Sequence, residues 1–558
     1  MTSTTMSHSL LDRKAIFDLL KKRFLGFKDG YRQNIALLGR RYIGKTTIVQ
    51  HFLAELDDCD VIEVYVDLTA KDFPYLFSKY IGGLLYNFSV KENLPLYDDF
   101  NLLLEGTKKH LPLTHKIIAK IQSDIKHGRW SEAHRSLISL PETFTTETNK
   151  FCLIVFDEFQ NLEALTIPSA FQELGKNIMT QKRCLYIMTS SFLAEAQRIL
   201  SEKLSLLFGN FEIVFVDSFD GQESQAFIHQ VLGDIKIGDG LRDFLVDFTG
   251  GQPLYLNLIL QELKYLTAVH QQIEIYVPLL IRAIENIIFN PWGVLSRHFE
   301  DMVERMTMNK GLSGLASLLG ILASGKKRQG ELTKALNLRP KIITQLLSRL
   351  IEEGVVVKNG NFFYLHDKLF KYWAKYVFHR RLKAIDPSFT KQREAFMEEL
   401  NHSIDSFKIN LQKDLSSRLV ELLYCFDNES LLMNGRKYKL PVFSKIEAIR
   451  LSDKEGVVGQ VIQATALEGP WFVIFKDQIG EGDVNIFLGE LKKHGFKPLG
   501  YIVISPRALD ENARIRALQE RMWIWHEQEL NTLSRFYDQP FFLFSGTKII
   551  ERTPLSTL

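Results

Sequence analysis

Residues 39–47 read Gly39-Arg40-Arg41-Tyr42-Ile43-Gly44-Lys45-Thr46-Thr47, a GxxxxGK[ST] pattern. This stretch constrains the fold more than any other because its flanks fit it on both sides. Asn34-Ile35-Ala36-Leu37-Leu38 before it is a short apolar run suited to a buried strand. Thr46-Thr47-Ile48-Val49-Gln50-His51-Phe52-Leu53 suits the start of a helix. In a strand, glycine loop and helix, backbone N–H groups and the helix dipole face a phosphate. Lys45 then reaches the β- and γ-phosphates of a nucleotide, and the Thr46 hydroxyl holds Mg²⁺.

A second stretch completes the chemistry. Phe151-Cys152-Leu153-Ile154-Val155-Phe156 is continuously apolar, as a parallel strand covered on both faces must be. It ends in Asp157-Glu158. Carboxylates at that end of a strand lie beside the phosphate loop, because α/β sheets bind ligands at the C-terminal edge of their strands. Asp157 is therefore assigned to Mg²⁺, and Glu158 to orienting and polarising an attacking water. The adjacent Glu points to hydrolysis rather than phosphoryl transfer to a small molecule.

The remaining strands place these motifs in one domain. Val61 to Asp67, Arg183 to Met188 and Phe211 to Val216 read as strands alternating with helices, which argues for a parallel sheet with helices on both faces. Thr189 or Ser190, after the Arg183 strand, is a candidate sensor of the γ-phosphate. Residues 10–25 read as an amphipathic helix, and residues 72–148 as a long, mostly helical stretch. Phe248-Thr249-Gly250-Gly251-Gln252-Pro253 reads as a helix cap followed by the first turn of another helix.

Further along, three helices are expected over 312–323, 329–338 and 340–353. A hairpin with an Asn359-Gly360 turn follows, running to Leu365. That order makes a winged helix-turn-helix. Residues 312–383 carry fourteen Lys and Arg against four Asp and Glu, in a chain whose net charge is only +3. A local basic footprint of this kind suits phosphate contact, with Arg339, Lys341 and Lys358 as candidate contacts to double-stranded DNA. A winged helix used only for packing between domains is the alternative.

The four cysteines are isolated, so reduced thiols rather than a disulfide frame or a metal site are expected. The first eight residues show no signal segment, and no apolar run reaches a membrane span. A cytoplasmic chain without membrane contact is expected.

In combination, these residues resemble archaeal-type P-loop ATPases of the AAA+ class, related to the STAND ATPases and the Orc/Cdc6 initiators. The resemblance rests on Asp12-Arg13, Gly39 to Thr46, Phe156-Asp157-Glu158-Phe159-Gln160, Gly250-Gly251-Gln252-Pro253 and Tyr364 to Trp373, and covers roughly residues 10–383. It implies ATP as the nucleotide. One departure is that Leu207-Phe208-Gly209 is followed by Asn210 where family members often carry Arg.

Many relatives add a C-terminal domain of restriction-endonuclease type, whose outline residues 440–546 fit. That chemistry needs an acid two residues before Lys476, where this chain has Ile474, and another on the preceding strand, where 459–463 has none. Without two carboxylates no hard cation is well held, so nuclease activity is not expected.

The sequence therefore predicts an α/β protein built on a P-loop NTPase parallel sheet. Its parts are a P-loop ATPase domain (10–265), a helical lid (266–310), a winged helix (311–383), a helical connector (384–439) and an inactive endonuclease-like domain (440–558). The function expected is an ATP- and Mg²⁺-dependent switch acting on DNA or a protein partner, working alone or as a homo-oligomer. The alternatives are a DNA-associated loader or replication-type ATPase, and an interaction protein that holds nucleotide without turnover.

Overall fold

The computed structural model describes residues 13–544, apart from 70–71, 166, 205–210, 309–313, 386–387, 434, 450–451, 454–455, 458–459 and 507–508. Asp12 and the Leu207-Phe208-Gly209-Asn210 stretch lie outside the described residues. The chain divides into two compact units, Met1–Ser218 and Phe219–Leu558.

The first unit is built on five strands: β1 Asn34–Leu38, β2 Val61–Asp67, β3 Phe151–Asp157, β4 Cys184–Ser190 and β5 Phe211–Phe215. All pair in parallel, in the order β2-β3-β4-β1-β5. Successive residues of a strand point to opposite faces, and here they enter two separate cores. Ala36, Leu38, Ile154 and Phe156 pack on one side, and Ile35, Leu37, Leu153 and Val155 on the other. Both faces are covered, so these strands read as unbroken apolar runs rather than alternating ones. Helices α1 (Lys14–Lys28) and α2 (Lys45–Ala54) bring Phe17, Leu20, Ile48 and Phe52 to the second face. Cys152 and Cys184 are register partners on β3 and β4, and all four cysteines are free thiols.

Between β2 and β3 the chain makes four helices, Phe73–Lys91, Phe100–Thr107, Pro112–Lys126 and Trp130–Thr148. Asp72 and Asp99 cap the first two through their carboxylates. Glu147 does the same for the third from a distance, accepting from the N–H groups of Leu113 at 2.6 Å and Thr114 at 2.9 Å.

The second unit starts with Gly221–Leu232, Asp239–Thr249 and Pro253–Val269. The sequence placed these helices with the sheet. Their Phe227, Leu245, Leu256 and Ile259 instead share one core with Leu319, Leu346 and Trp373, which draws them into this unit. Gly250 ends the middle helix in the left-handed conformation at φ 66°, as expected of a glycine at that position.

Three helices follow, Leu315–Leu322, Gln329–Leu336 and Pro340–Glu352, and then a hairpin of Val356–Asn359 and Phe362–Leu365. Asn359 pairs with Phe362, so the two turn residues are Gly360-Asn361 rather than Asn359-Gly360. The C-terminal sheet runs Phe443–Ile449, Gln460–Ala466, Gly469–Phe475, Gly500–Ile504, Trp523–Trp525 in spatial order, antiparallel for the first two pairings and parallel for the last two.

Candidate active site

Strand order creates the site. β4 lies between β1, which feeds the glycine loop, and β3, which ends in Asp157. Adjacent strands lie about 4.8 Å apart, so the loop and the carboxylates face each other across the end of β4. Residues just past that end can reach both.

The loop is held tightly. A Cβ on Gly39 would stand 2.3 Å from the Val216 carbonyl oxygen, so only glycine fits. Gly44 turns the chain at φ 95° into α2, whose first turn has no side-chain cap. The N–H groups at a helix start need acceptors, and an anion supplies them. Tyr42 is also left-handed, at φ 65°. Arg41 lies over the Phe192 ring at 4.8 Å.

Lys45 is 4% exposed. Its ammonium donates to the Gly39 carbonyl at 2.9 Å, the Arg40 carbonyl at 3.0 Å and the Ser191 hydroxyl at 2.8 Å. All three acceptors are neutral, and among the described residues no carboxylate comes within ion-pair range of it. Burial pushes its pKa down, while the Glu158 and Asp157 carboxylates nearby oppose that shift. A buried cation without a direct counter-ion is costly, and a phosphate at the loop would relieve that cost.

The carboxylates are ordered differently. Asp157 accepts from the Thr46 hydroxyl at 2.7 Å, the Tyr65 hydroxyl at 2.6 Å and the Thr189 hydroxyl. Burial and the Asp157 charge hold the Tyr65 phenol in its neutral, donating form by raising its pKa. Thr46 and Asp157 thus stand together as a hydroxyl and a carboxylate oxygen, the hard donor set that Mg²⁺ takes.

Glu158 accepts from Gln160 at 2.9 Å, the Ser191 N–H at 3.0 Å and the Ser191 hydroxyl. Its backbone is left-handed at φ 56°. A non-glycine residue in that region carries strain of order 1–3 kcal/mol, and such residues cluster at functional sites.

Of the two candidate sensors, Thr189 binds Asp157, and Ser190 accepts from the Phe192 N–H at 3.1 Å. The residue that touches both Lys45 and Glu158 is Ser191, which sequence reasoning passed over. The Ser191 hydroxyl accepts from Lys45 and donates to Glu158, linking the two. Ser191→Ala is expected to lower turnover about 10²-fold by loosening Glu158 while leaving ATP affinity within a few fold. Ser191→Thr keeps the hydroxyl and is expected to recover part of the rate, as steady-state kinetics would show.

The candidate DNA contacts are not gathered in this site. Arg339, Lys341 and Lys358 are exposed in the second unit. Arg339 stands at the N-cap position of the helix Pro340–Glu352 without a side-chain hydrogen bond to it, and Lys358 lies over the Phe363 ring at 5.7 Å. The hairpin tip beside Lys358 is packed on one side, while its turn residues Gly360 and Asn361 are exposed. Asn359 exchanges two hydrogen bonds with the Leu432 backbone, at 3.1 and 2.8 Å, and a Cβ on Gly360 would meet the Ser430 carbonyl at 2.3 Å. Lys326 is also engaged, on Glu429 and against the rings of Phe536 and Tyr537 at 4.1 and 3.9 Å.

In the C-terminal sheet, Ile474 is fully buried in an apolar cluster with Phe487, Leu491 and Val503. Lys476 points to Asp483 at 2.7 Å. Position 474 is thus part of the apolar core.

No family model matches the chain, and no curated protein matches it. Among solved structures, the Walker-type ATPase paby2304 of Pyrococcus abyssi is 17% identical, with a TM-score of 0.45 over 65% of this chain and 95% of that one. The ORC2 protein of Aeropyrum pernix, in its ADPNP–ADP complexes, is 13% identical, with a TM-score of 0.41 over 71% and 94%. The RuvB Holliday junction branch migration motor of Thermotoga maritima is 12% identical, with a TM-score of 0.33 over 65% and 93%. At these identities and scores the likenesses say nothing of function.

Proposed function

We propose that this protein is an ATP-binding and ATP-hydrolysing switch whose first unit holds Mg²⁺–ATP at the Gly39–Thr47 loop. The observation that carries the reading is the buried Lys45 ammonium, satisfied only by neutral oxygens, at the uncapped start of α2. The N–H groups of the loop and of α2 take the phosphate oxygens, and Lys45 turns from the carbonyls to the β- and γ-phosphates. Thr46 and Asp157 are the residues that would hold Mg²⁺, which when bound offsets the charge of the phosphates.

Glu158 serves as the general base. It polarises water at its carboxylate and receives the proton, and its three donors fix the direction in which it points. While the loop is empty, Ser191 holds Glu158 and Lys45 together. Drawing Lys45 towards phosphate ends its contact with the Ser191 hydroxyl, which goes on donating to Glu158 and keeps the base oriented.

Residues 311–383 are read as a winged helix and the second unit as the partner-binding region of the switch. The hairpin is pinned at its tip by Ser430 and Leu432, and the exposed start of the helix Pro340–Glu352, with Arg339 and Lys341, is read as the face for duplex DNA. Residues 440–558 are read as an endonuclease-like domain without nuclease chemistry.

Arg339→Glu with Lys341→Glu is expected to weaken binding to duplex DNA and to lower its salt slope by about two contacts, whereas Lys358→Glu has a smaller effect because the hairpin beside it is pinned to Leu432. Fluorescence anisotropy across a salt series checks both. A double variant that binds as well as wild type would move this module to a packing or protein-binding role. A loader acting as an oligomer would show turnover stimulated by DNA, which the same preparation tests.

A further inference from the structure

We propose that the helix Pro112–Lys126 of the first unit carries a separate polyanion-binding surface, and that its partner is the sugar-phosphate backbone of a nucleic acid, held without reading of bases. Residues 108–129 contain six Lys and Arg against a single acid, Asp124, in a chain of net charge +3. That acid is buried and tied to Arg129 at 2.7 Å. Lys108 reaches Glu105 at 3.5 Å. Lys109, Lys116, Lys120 and Lys126 are exposed and, among the described residues, have no ion-pair or hydrogen-bond partner.

Six other lysines of the same unit are paired, while isolated ones such as Lys22, Lys79 and Lys182 have no carboxylate partner among the described residues and do not form a cluster. Lys21, Lys28, Lys91, Lys150, Lys176 and Lys203 each sit against a carboxylate. Like charges at i and i+4 destabilise the helix that bears them, as Lys116 and Lys120 do here. A surface that keeps such a cluster unneutralised is suited to an external anion.

The shape of the patch selects the partner. Between Lys116 and Lys126 the exposed positions other than lysine are Ala119, Gln122 and Ser123. The lysines therefore stand on a smooth, neutral face along about 15 Å of helix axis. A helix that lies in a membrane interface needs large apolar residues to insert. A protein partner needs aromatic or apolar anchors and pockets. Neither is present on this stretch. Lys116, Lys120 and Lys126, with no large apolar side chain exposed between them, fit a line of phosphates, whose contacts are electrostatic and independent of sequence; the exposed Leu113 lies outside this run, between Lys109 and Lys116.

The test uses the full chain with Lys109, Lys116, Lys120 and Lys126 all changed to Gln. Anisotropy is followed with a labelled random-sequence duplex, a labelled single strand and phosphatidylserine vesicles. For duplex DNA, four lost contacts at a slope of about −0.9 each remove a factor of roughly 150 from the affinity change between about 50 and 200 mM salt. The thermal melt and nucleotide binding, which do not involve these lysines, are expected to match wild type. If the fourfold variant does not fold, Lys116→Gln with Lys120→Gln is expected to remove half of the slope change. An unchanged salt slope in the variant, or wild-type binding to vesicles and to neither nucleic acid, overturns the proposal. Because the readout is binding without nucleotide, it stands or falls separately from ATP turnover.

Discussion

Glu158→Gln is expected to bind Mg²⁺–ATP as the wild-type chain does and to turn it over about 10²–10⁴-fold more slowly. The amide keeps the size of the side chain, and its oxygen still accepts from the Ser191 N–H, so the loop and Lys45 are not disturbed. What is lost is the charge and basicity needed to take a proton from water. The strained backbone at φ 56° is unchanged, so stability is expected to stay close to wild type. Phosphate release under saturating ATP gives the comparison. Full turnover in this variant would remove Glu158 from the role of base and leave Asp157 as the nearest carboxylate.

The second large effect is on binding. Lys45→Ala removes a buried ammonium that would face the β- and γ-phosphates. Truncating one partner of a buried, hydrogen-bonded charge pair costs about 2–5 kcal/mol, or roughly 30- to 5,000-fold in Kd. The free protein loses no ion pair, because the acceptors of Lys45 are two carbonyls and a hydroxyl. The melting temperature without nucleotide is therefore expected to hold or rise. The stabilisation that ATP confers on wild type is expected to vanish. A thermal shift with ATP that persists in Lys45→Ala would place the nucleotide elsewhere.

The core of this site was legible from sequence because its parts are local. A glycine loop between an apolar strand and a helix specifies its own geometry, and an apolar run ending in Asp157-Glu158 marks the end of a parallel strand. The choice among Thr189, Ser190 and Ser191 was not legible. It depends on where β4 stops and on which strands flank it, a pairing set by contacts distant in sequence. Tyr65 was hidden for the same reason, since its link to Asp157 spans β2 and β3.

Charge counting over 312–383 also could not see that Lys326 is half-buried among aromatic rings and Glu429, or that Gly360 packs against Ser430. Both partners lie in later segments of the chain. The helical stretch 72–148 was legible as helix, but its unpaired lysines were not, because pairing is a property of the folded surface.

Isothermal titration of Mg²⁺–ATP into the wild-type protein, Glu158→Gln and Lys45→Ala decides whether the Gly39–Thr47 loop holds the nucleotide. One site is expected in the first two, with Kd values within about twofold, and a loss of at least roughly 30-fold in the third. No binding to wild type, or equal affinity in Lys45→Ala, would contradict that expectation.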